Sequence, residues 1–314
     1  MADTTSFEFE TANAEETSAE HIVGINQQTP KQWLKQYLRK PSSFILLILL
    51  VGAATVTLLA LLFIIAYILV KGVPNLSWSL FEWTYNSENS SMMPAIINTL
   101  IMTALSLLIS VPFGIGAAIY LVEYAKRGNK IVNIVRITAE TLTGIPSIVY
   151  GLFGMLFFVT ALKWRLSILA GAFTLAIMVL PVIMRTTEEA LMAVPDSYRE
   201  GSFGLGAGKF RTVFKIILPS AMPGILSGVI LAIGRIVGET AALMYTAGTV
   251  ASIPNIKQGL LSSGRTLAVH MYVLSSEGLY MEPAYATAVI LLLVVLCMNL
   301  CSTAIAKKFS KADK

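Results

Sequence analysis

The chain has 314 residues, 55% of them hydrophobic and only 13% charged, whereas soluble domains are roughly one quarter charged. Its apolar stretches exceed the roughly 20 residues that cross a ~30 Å hydrocarbon core and show no strand alternation, so a β-barrel is excluded and an all-α, polytopic membrane helical bundle remains. The net charge of +5 is a topology signal in such a chain and does not imply nucleic-acid binding.

Residues 1–30 carry Asp3, Glu8, Glu10, Glu15, Glu16 and Glu20 without a helical apolar stripe, the composition of a disordered tail. Residues 31–40 set Lys31, Lys35, Arg39 and Lys40 around Trp33, Leu34, Tyr37 and Leu38 at helical spacing, which predicts a short amphipathic anchor on membrane lipid. Six spans follow, at about 44–70, 95–122, 139–162, 166–184, 218–247 and 284–306. The first, with its outer loop, fills 41–90; it is too long and begins too late for a signal peptide. Pro112, Gly114 and Gly116 in the second span, Gly144 and Pro146 in the third and Pro181 in the fourth predict bends or close helix packing. In the fifth span, Gly224 with Gly228 and Gly234 with Gly238 predict a closely approaching partner helix. The outside loop at about 248–283 is long enough to dock an extracytoplasmic protein. Cys297 and Cys301 read as packing residues, and His21 and His270 lie apart in sequence, so no metal site is expected.

Lysines and arginines set the orientation. With the N-terminus inside, the inner segments hold 4 before the first span, 4 in 123–138, 5 in 185–215 and 4 after 306, against 5 outside. The positive-inside rule then places both termini, including the tail over 307–314, in the cytoplasm.

Between the fourth and fifth spans lies a polar, glycine-punctuated stretch, EGSFGLGAGKFRTVFKIILP, at 200–219. Pro195 and Asp196 ahead of it form a helix-start signal, since proline ends a preceding helix and Asp or Ser accepts orphan first-turn amides. A helix over about 197–205 ends at Gly206, suited to a left-handed cap, and a second over about 208–217 leads to Pro219. The product is a helix-turn-helix knob carrying Tyr198, Arg199, Glu200, Lys209 and Arg211. An ordinary cytoplasmic loop is the alternative.

Glu200, Gly206, Ile216, Leu218 and Pro219 keep the spacing of the EAA motif, and the stretch resembles the coupling loop of ABC-importer permeases, with Gly201 and Ser202 in place of two alanines. The segments VPFGIGAAIYLVEYA (111–125), TGIPSIVYGLFG (143–154), EEALMAVPDSYREGS (188–202) and GRIVGETAALMYTAG (234–248) extend the likeness. From about 90 to 306 the chain resembles the A-type permease subunit of the phosphate-specific ABC importer, the PstA type. That resemblance implies a type I ABC importer permease fold with six transmembrane helices, a permease core over 91–306 and a coupling loop at about 188–217. It implies a C-type sister permease, two copies of a cytoplasmic ATPase, and an extracytoplasmic phosphate-binding protein as partners. ATP and Mg would sit on the ATPase: the chain has no G-x-x-x-x-G-K-[ST] loop, so it is expected to bind no cofactor and to be no enzyme.

Within the fifth span, Arg235 and Glu239 are four residues apart in an apolar segment. A charge at a helix centre costs about 2.5–3.5 kcal/mol on insertion scales, so it should face a partner or a watery pathway. Guanidinium suits phosphate, because its fork of donors matches anionic oxygens and stays charged; Glu239 would steady Arg235 or serve as its counter-ion. The alternative is an ion pair satisfied along the helix or across to a sister subunit. Arg185, at the inner end of the fourth span, is a second pathway cation or a snorkelling residue. Arg136 and Glu140 read as an i, i+4 boundary pair. Two rival functions are a permease for molybdate, sulfate or another small solute, and an ion-coupled transporter or channel; the latter calls for internal repeats and several intramembrane acids.

Overall fold

The computed structural model describes residues 41–126, 128–254, 259–276, 278 and 280–311. The tail and the amphipathic anchor expected over 1–40 lie outside the described residues. Contacts divide the chain after Ala66. Up to that point the described chain is one apolar helix, the body of α1 (Pro41–Gly72). Between 44 and 66 its polar side chains are Thr55 and Thr57, each bonding back to a carbonyl four residues earlier, as hydroxyls do where no water is at hand.

From Tyr67 onward the chain is a bundle. After two short 3₁₀ turns come α2 (Met93–Ile119), α3 (Lys130–Thr143), α4 (Ser147–Gly154), α5 (Ile168–Met192), α6 (Asp196–Gly204), α7 (Lys209–Thr212), α8 (Leu218–Val237), α9 (Ala241–Thr246), α10 (Leu267–Ser276) and α11 (Met281–Lys311). Five helices of the described chain are long and apolar enough to cross a membrane, or six if α3 and α4 with its π-helical extension to Ala161, bent by 102°, count as one span.

The most enclosed span is α5, with 67% of its apolar window buried. It packs on α2 and α8 through small residues that bring backbones together. A Cβ on Gly114 of α2 would stand 2.9 Å from Ile183, and one on Gly224 of α8 would stand 2.6 Å from Ala190. Gly228 meets Thr186 more closely still. The partner expected for the Gly224 and Gly228 pair is therefore α5 of the same chain, whereas Gly234 and Gly238 meet no other element within 4 Å. Buried apolar clusters lie along the bundle: Met102, Leu175, Met178 and Ile236 at mid-height, Leu121, Leu191, Val213 and Ile217 at the α6 end, and Leu80, Met92 and Leu267 at the other.

Two expected spans are broken. The third, expected over 139–162, starts earlier and bends where Gly144 and Pro146 led one to expect it, since proline lacks an amide hydrogen and forces the preceding residue out of helix. The fifth, expected over 218–247, stops at Val237; the Gly238 amide donates back to the Gly234 carbonyl at 3.2 Å, and α9 restarts at Ala241. Pro219 does not end the second knob helix. A π-helical turn over Val213–Ile217 lets α7 run into α8 one turn ahead of it, the usual accommodation of a helix that loses a bond.

Candidate functional site

The knob expected between the fourth and fifth spans is α6, a turn, and α7. Its turn is a Schellman cap: Ala207 N–H donates to Ser202 O at 3.1 Å and Gly206 N–H to Phe203 O at 2.9 Å, with Gly206 at φ +81°. Only glycine adopts that backbone without a Cβ clash. Ser202, one of the two departures from alanine, is buried and its hydroxyl lies 2.8 Å from that of Thr212, so the substitution clamps α6 to α7.

Tyr198, Glu200, Lys209 and Arg211 are exposed on the knob, with the Lys209 ammonium 5.1 Å above the Tyr124 ring. Arg199 is not: it turns inward, its side chain 15% exposed. Nε and Nη2 donate to Glu123 Oε1 at 3.1 and 2.7 Å, and the other donors reach the Asp196 carboxylate and the carbonyls of Leu191 and Val194. Arg199 thus ties the knob to the π-helical turn at the end of α2 and to the end of α5.

Sequence reasoning passed over the apolar groups of this loop. Leu205 is 92% exposed at the very turn, and Phe203 and Phe210 are exposed beside it. The available signal was three large apolar residues in a polar loop. Large apolar groups exposed together, with no packing among the described residues to repay their exposure, have the chemistry of an interaction surface. A cavity of about 1040 Å³ opens beside the knob, with Lys126, Lys130, Arg136, Arg199 and Lys209 on its walls.

Arg185 and Arg136, also at this end, are paired as well. Arg185 donates through Nε to Glu189 at 3.1 Å and through Nη1 to Glu140 at 3.3 Å, and is half exposed. Arg136 lies not with Glu140, as its spacing suggested, but with Glu188: Nε stands 2.5 Å from Oε1, an ion pair without hydrogen-bond angles. The i, i+4 pair is replaced by two bridges between α3 and α5 because the helices run side by side.

Arg235 stands apart. It is half-buried in the last turn of α8, and no carboxylate or hydrogen-bond acceptor among the described residues pairs with it. Its charge acts instead on the Tyr150 phenol. Glu239 is not on the same helical face, because α8 has already ended. It is 9% exposed, and Oε1 accepts the Ala242 amide at 3.0 Å in the first turn of α9. The structure thus separates the expected Arg235–Glu239 pair, leaving a cation facing a break in its own span.

Comparison with known proteins gives this arrangement a family. Residues 110–311 match the model of the binding-protein-dependent transport system inner membrane component. A phosphate transport system permease protein PstA of Pasteurella multocida is 35% identical over 84% of this chain and 94% of its own length, and its counterpart in Haemophilus influenzae is 32% identical over 86% and 95%. A probable ABC transporter permease of Bacillus subtilis, YqgI, is 34% identical over 75% and 85%. Among solved structures, a bacterial ABC transporter involved in the import of the acidic polysaccharide alginate superposes with TM-score 0.58 at 17% identity, over 88% of this chain and 96% of that one. The MetNI methionine ABC transporter gives 0.52 at 19%, over 77% and 96%. With its spans, its knob and these matches, the chain belongs to the binding-protein-dependent transport system inner membrane component family, as a multi-pass membrane protein with the type I ABC importer permease fold.

Proposed function

We propose that this chain is the A-type permease subunit of an ATP-driven importer of inorganic phosphate, forming half of the translocation pathway. The observation that carries the substrate is Arg235: a permanently charged fork of donors, unpaired among the described residues, at the break of a membrane span. Leaving a cation there without a counter-ion is costly unless an anion visits it, and phosphate oxygens match its geometry. The relatives named for phosphate transport support the same cargo.

A C-type sister permease supplies the other half of the pathway, and the open pair of Gly234 in the last turn of α8 and Gly238 just past its end suits close approach of its helix. Two copies of a cytoplasmic ATPase, which carry ATP and Mg, receive the knobs. The exposed Leu205, Phe203 and Phe210 form the docking surface, and Tyr198, Glu200, Lys209 and Arg211 its polar rim. Arg199 and the Gly206 cap hold the knob's shape, so movement of the ATPase passes to α2 and α5 as a rigid displacement. Both termini and the knob face the cytoplasm, and an extracytoplasmic phosphate-binding protein loads the opposite side. Arg185 stands at the inner mouth, where phosphate would compete with Glu140 and Glu189 for it. The chain hydrolyses nothing; the energy enters as differential binding of the ATPase to two bundle states.

The test is ATP-dependent uptake of radiolabelled phosphate, with sulfate and molybdate as competitors, in vesicles holding this chain, its sister, the ATPase and the binding protein. Phosphate-selective uptake that disappears without this chain is expected. Uptake of another anion in place of phosphate would overturn the substrate while leaving the knob's role intact.

A further inference from the structure

At the end of the bundle opposite the knob, a second arginine is buried with neither an ion pair nor a hydrogen bond to its side chain among the described residues. Arg265 is 3% exposed, on the stretch that leads into α10. Its backbone is fixed: its amide donates to Val250 O at 3.0 Å, and its carbonyl accepts from Asn98 Nδ2 of α2 at 3.2 Å. The guanidinium carbon sits 4.4 Å over the Tyr85 ring. Nε and Nη2 are buried and bond to nothing among the described residues, and no described acid pairs with the charge. One turn into α10, His270 is fully buried, its ring edge-to-face with Tyr85 at 5.9 Å; neither ring nitrogen has a partner at full hydrogen-bond geometry, and the Ser90 backbone is the polar group close enough to act on the imidazole.

Buried donors are almost always satisfied, and a buried charge is normally paired. The unmet pair is informative by its identity. Nε and Nη2 lie on one edge of the planar guanidinium, the edge that takes two oxygens of an oxyanion side by side. Burial and the Arg265 charge, opposed by the Ser90 backbone, hold His270 down to about 3, so at neutral pH it is an uncharged imidazole with one donor and one acceptor, of which the Ser90 backbone can engage one. An inorganic oxyanion that retains a proton can use the rest: two oxygens on the fork, the remainder at the other imidazole nitrogen. Tyr85 belongs to the 82–91 strap, whose turn Asn86 and Asn89 shape by reciprocal bonds, the Oδ1 of each accepting the backbone amide of the other at 2.8 and 2.9 Å.

We propose that Arg265 and His270, covered by Tyr85, form a second binding site for inorganic phosphate, distinct from Arg235 and closed in this conformation. About 40 Å of helix α2, at ~1.5 Å per residue, separates its Asn98 support from the Glu123 that anchors the knob. The site rests on the phosphate reading of the chain and places a holding position ahead of Arg235. Tyr85 lies against both the guanidinium and the imidazole, so opening requires it to leave the two at once.

The test uses the assembled transporter in nanodiscs without its binding protein, with equilibrium binding of radiolabelled inorganic phosphate and, alongside, uptake by the complete system. Arg265→Gln should raise the Kd of one class of site by about tenfold or more, Arg265→Lys, which keeps charge but loses the fork, should do the same, and Arg235→Gln should leave that class in place. Tyr85→Leu should speed phosphate exchange there. If Arg265→Gln fails to assemble, the lysine variant decides. Binding unchanged in Arg265→Lys, or lost entirely in Arg235→Gln, overturns the second site. Wild-type complex that takes up phosphate but shows no Arg265-dependent binding sinks this site alone, whereas absence of phosphate uptake sinks the phosphate reading with it.

Discussion

Arg199 and Arg235 are both set within apolar surroundings, yet one makes five hydrogen bonds and the other none among the described residues. At the knob end every described arginine that bridges elements has a carboxylate: Arg136 with Glu188, Arg185 with Glu140 and Glu189, Arg199 with Glu123 and Asp196. Along the span interior and at the opposite end, Arg235 and Arg265 have none. Paired arginines hold helices in register, whereas on the proposed reading the unpaired ones keep their donors for something that comes and goes. A transporter needs both, because the bundle must transmit force as a body while its pathway offers an anion a site it can leave.

The division predicts where a lost arginine shows. Arg199→Ala strands the Glu123 carboxylate, whose side chain is 7% exposed, as an uncompensated charge. Assembly should fall by about 3–5 kcal/mol of stability, read as a lower thermal midpoint and a poor yield of complex. Joint replacement by Arg199→Met and Glu123→Leu should recover much of it. Normal yield in the single variant would break the contrast at its paired side.

Leu205→Asp comes next. With the side chain 92% exposed, the fold loses nothing, so the permease pair should assemble normally. Docking of the ATPase should lose at least about 2 kcal/mol, roughly 30-fold in affinity, if the tip is a hot spot. Undiminished co-purification of the ATPase would remove the apolar tip from the interface.

Arg235→Gln should behave in the opposite way to Arg199→Ala: full assembly, with phosphate uptake down roughly tenfold to a hundredfold, the value of a charge-assisted hydrogen bond of about 1.5–3 kcal/mol. A variant that assembles poorly would show that Arg235 is structural and that its missing partner lies in the sister chain.

The smaller architecture of the knob could be read from its letters, because local rules suffice there. Pro195 before a helix, Gly206 after it and a return helix are short-range chemistry, and Gly206→Ala should cost about 1 kcal/mol through its positive φ, visible as a few degrees in thermal midpoint. The orientation of Arg199 was not legible, since Glu123 is 76 residues away and nothing in the loop points to it. The six-span pattern was legible from hydropathy and the bend of the third span from Gly144 and Pro146, but the break of the fifth span was not, although Gly238 was in view. Hydropathy averages over a window, and a break of three residues changes it little. The consequence reached the site: with α8 taken as continuous, Arg235 and Glu239 shared a face, and in the structure they do not. Arg265 was counted only as an outside charge, because burial of a loop residue depends on Tyr85 and on the long return of the chain.

Arg185 sharpens the contrast with the smallest expected effect. It is a pathway candidate by position but a paired arginine by geometry, bonded to Glu189 one turn on and to Glu140 across the groove, all three side chains more than half exposed. Exposed pairs of this kind contribute little to stability, since water and salt compete for both partners. Arg185→Gln should therefore leave the thermal midpoint unchanged and reduce phosphate uptake by less than Arg235→Gln does, with the difference narrowing at low ionic strength, where an exposed cation at the inner mouth attracts an anion most strongly. Glu140→Gln, which frees one side of the guanidinium, should shift Arg185 toward the behaviour of an unpaired arginine. Uptake in Arg185→Gln as low as in Arg235→Gln would mean that pairing in the resting state does not decide which arginine serves the anion, and the criterion that separates the two groups would have to be sought in the moving bundle.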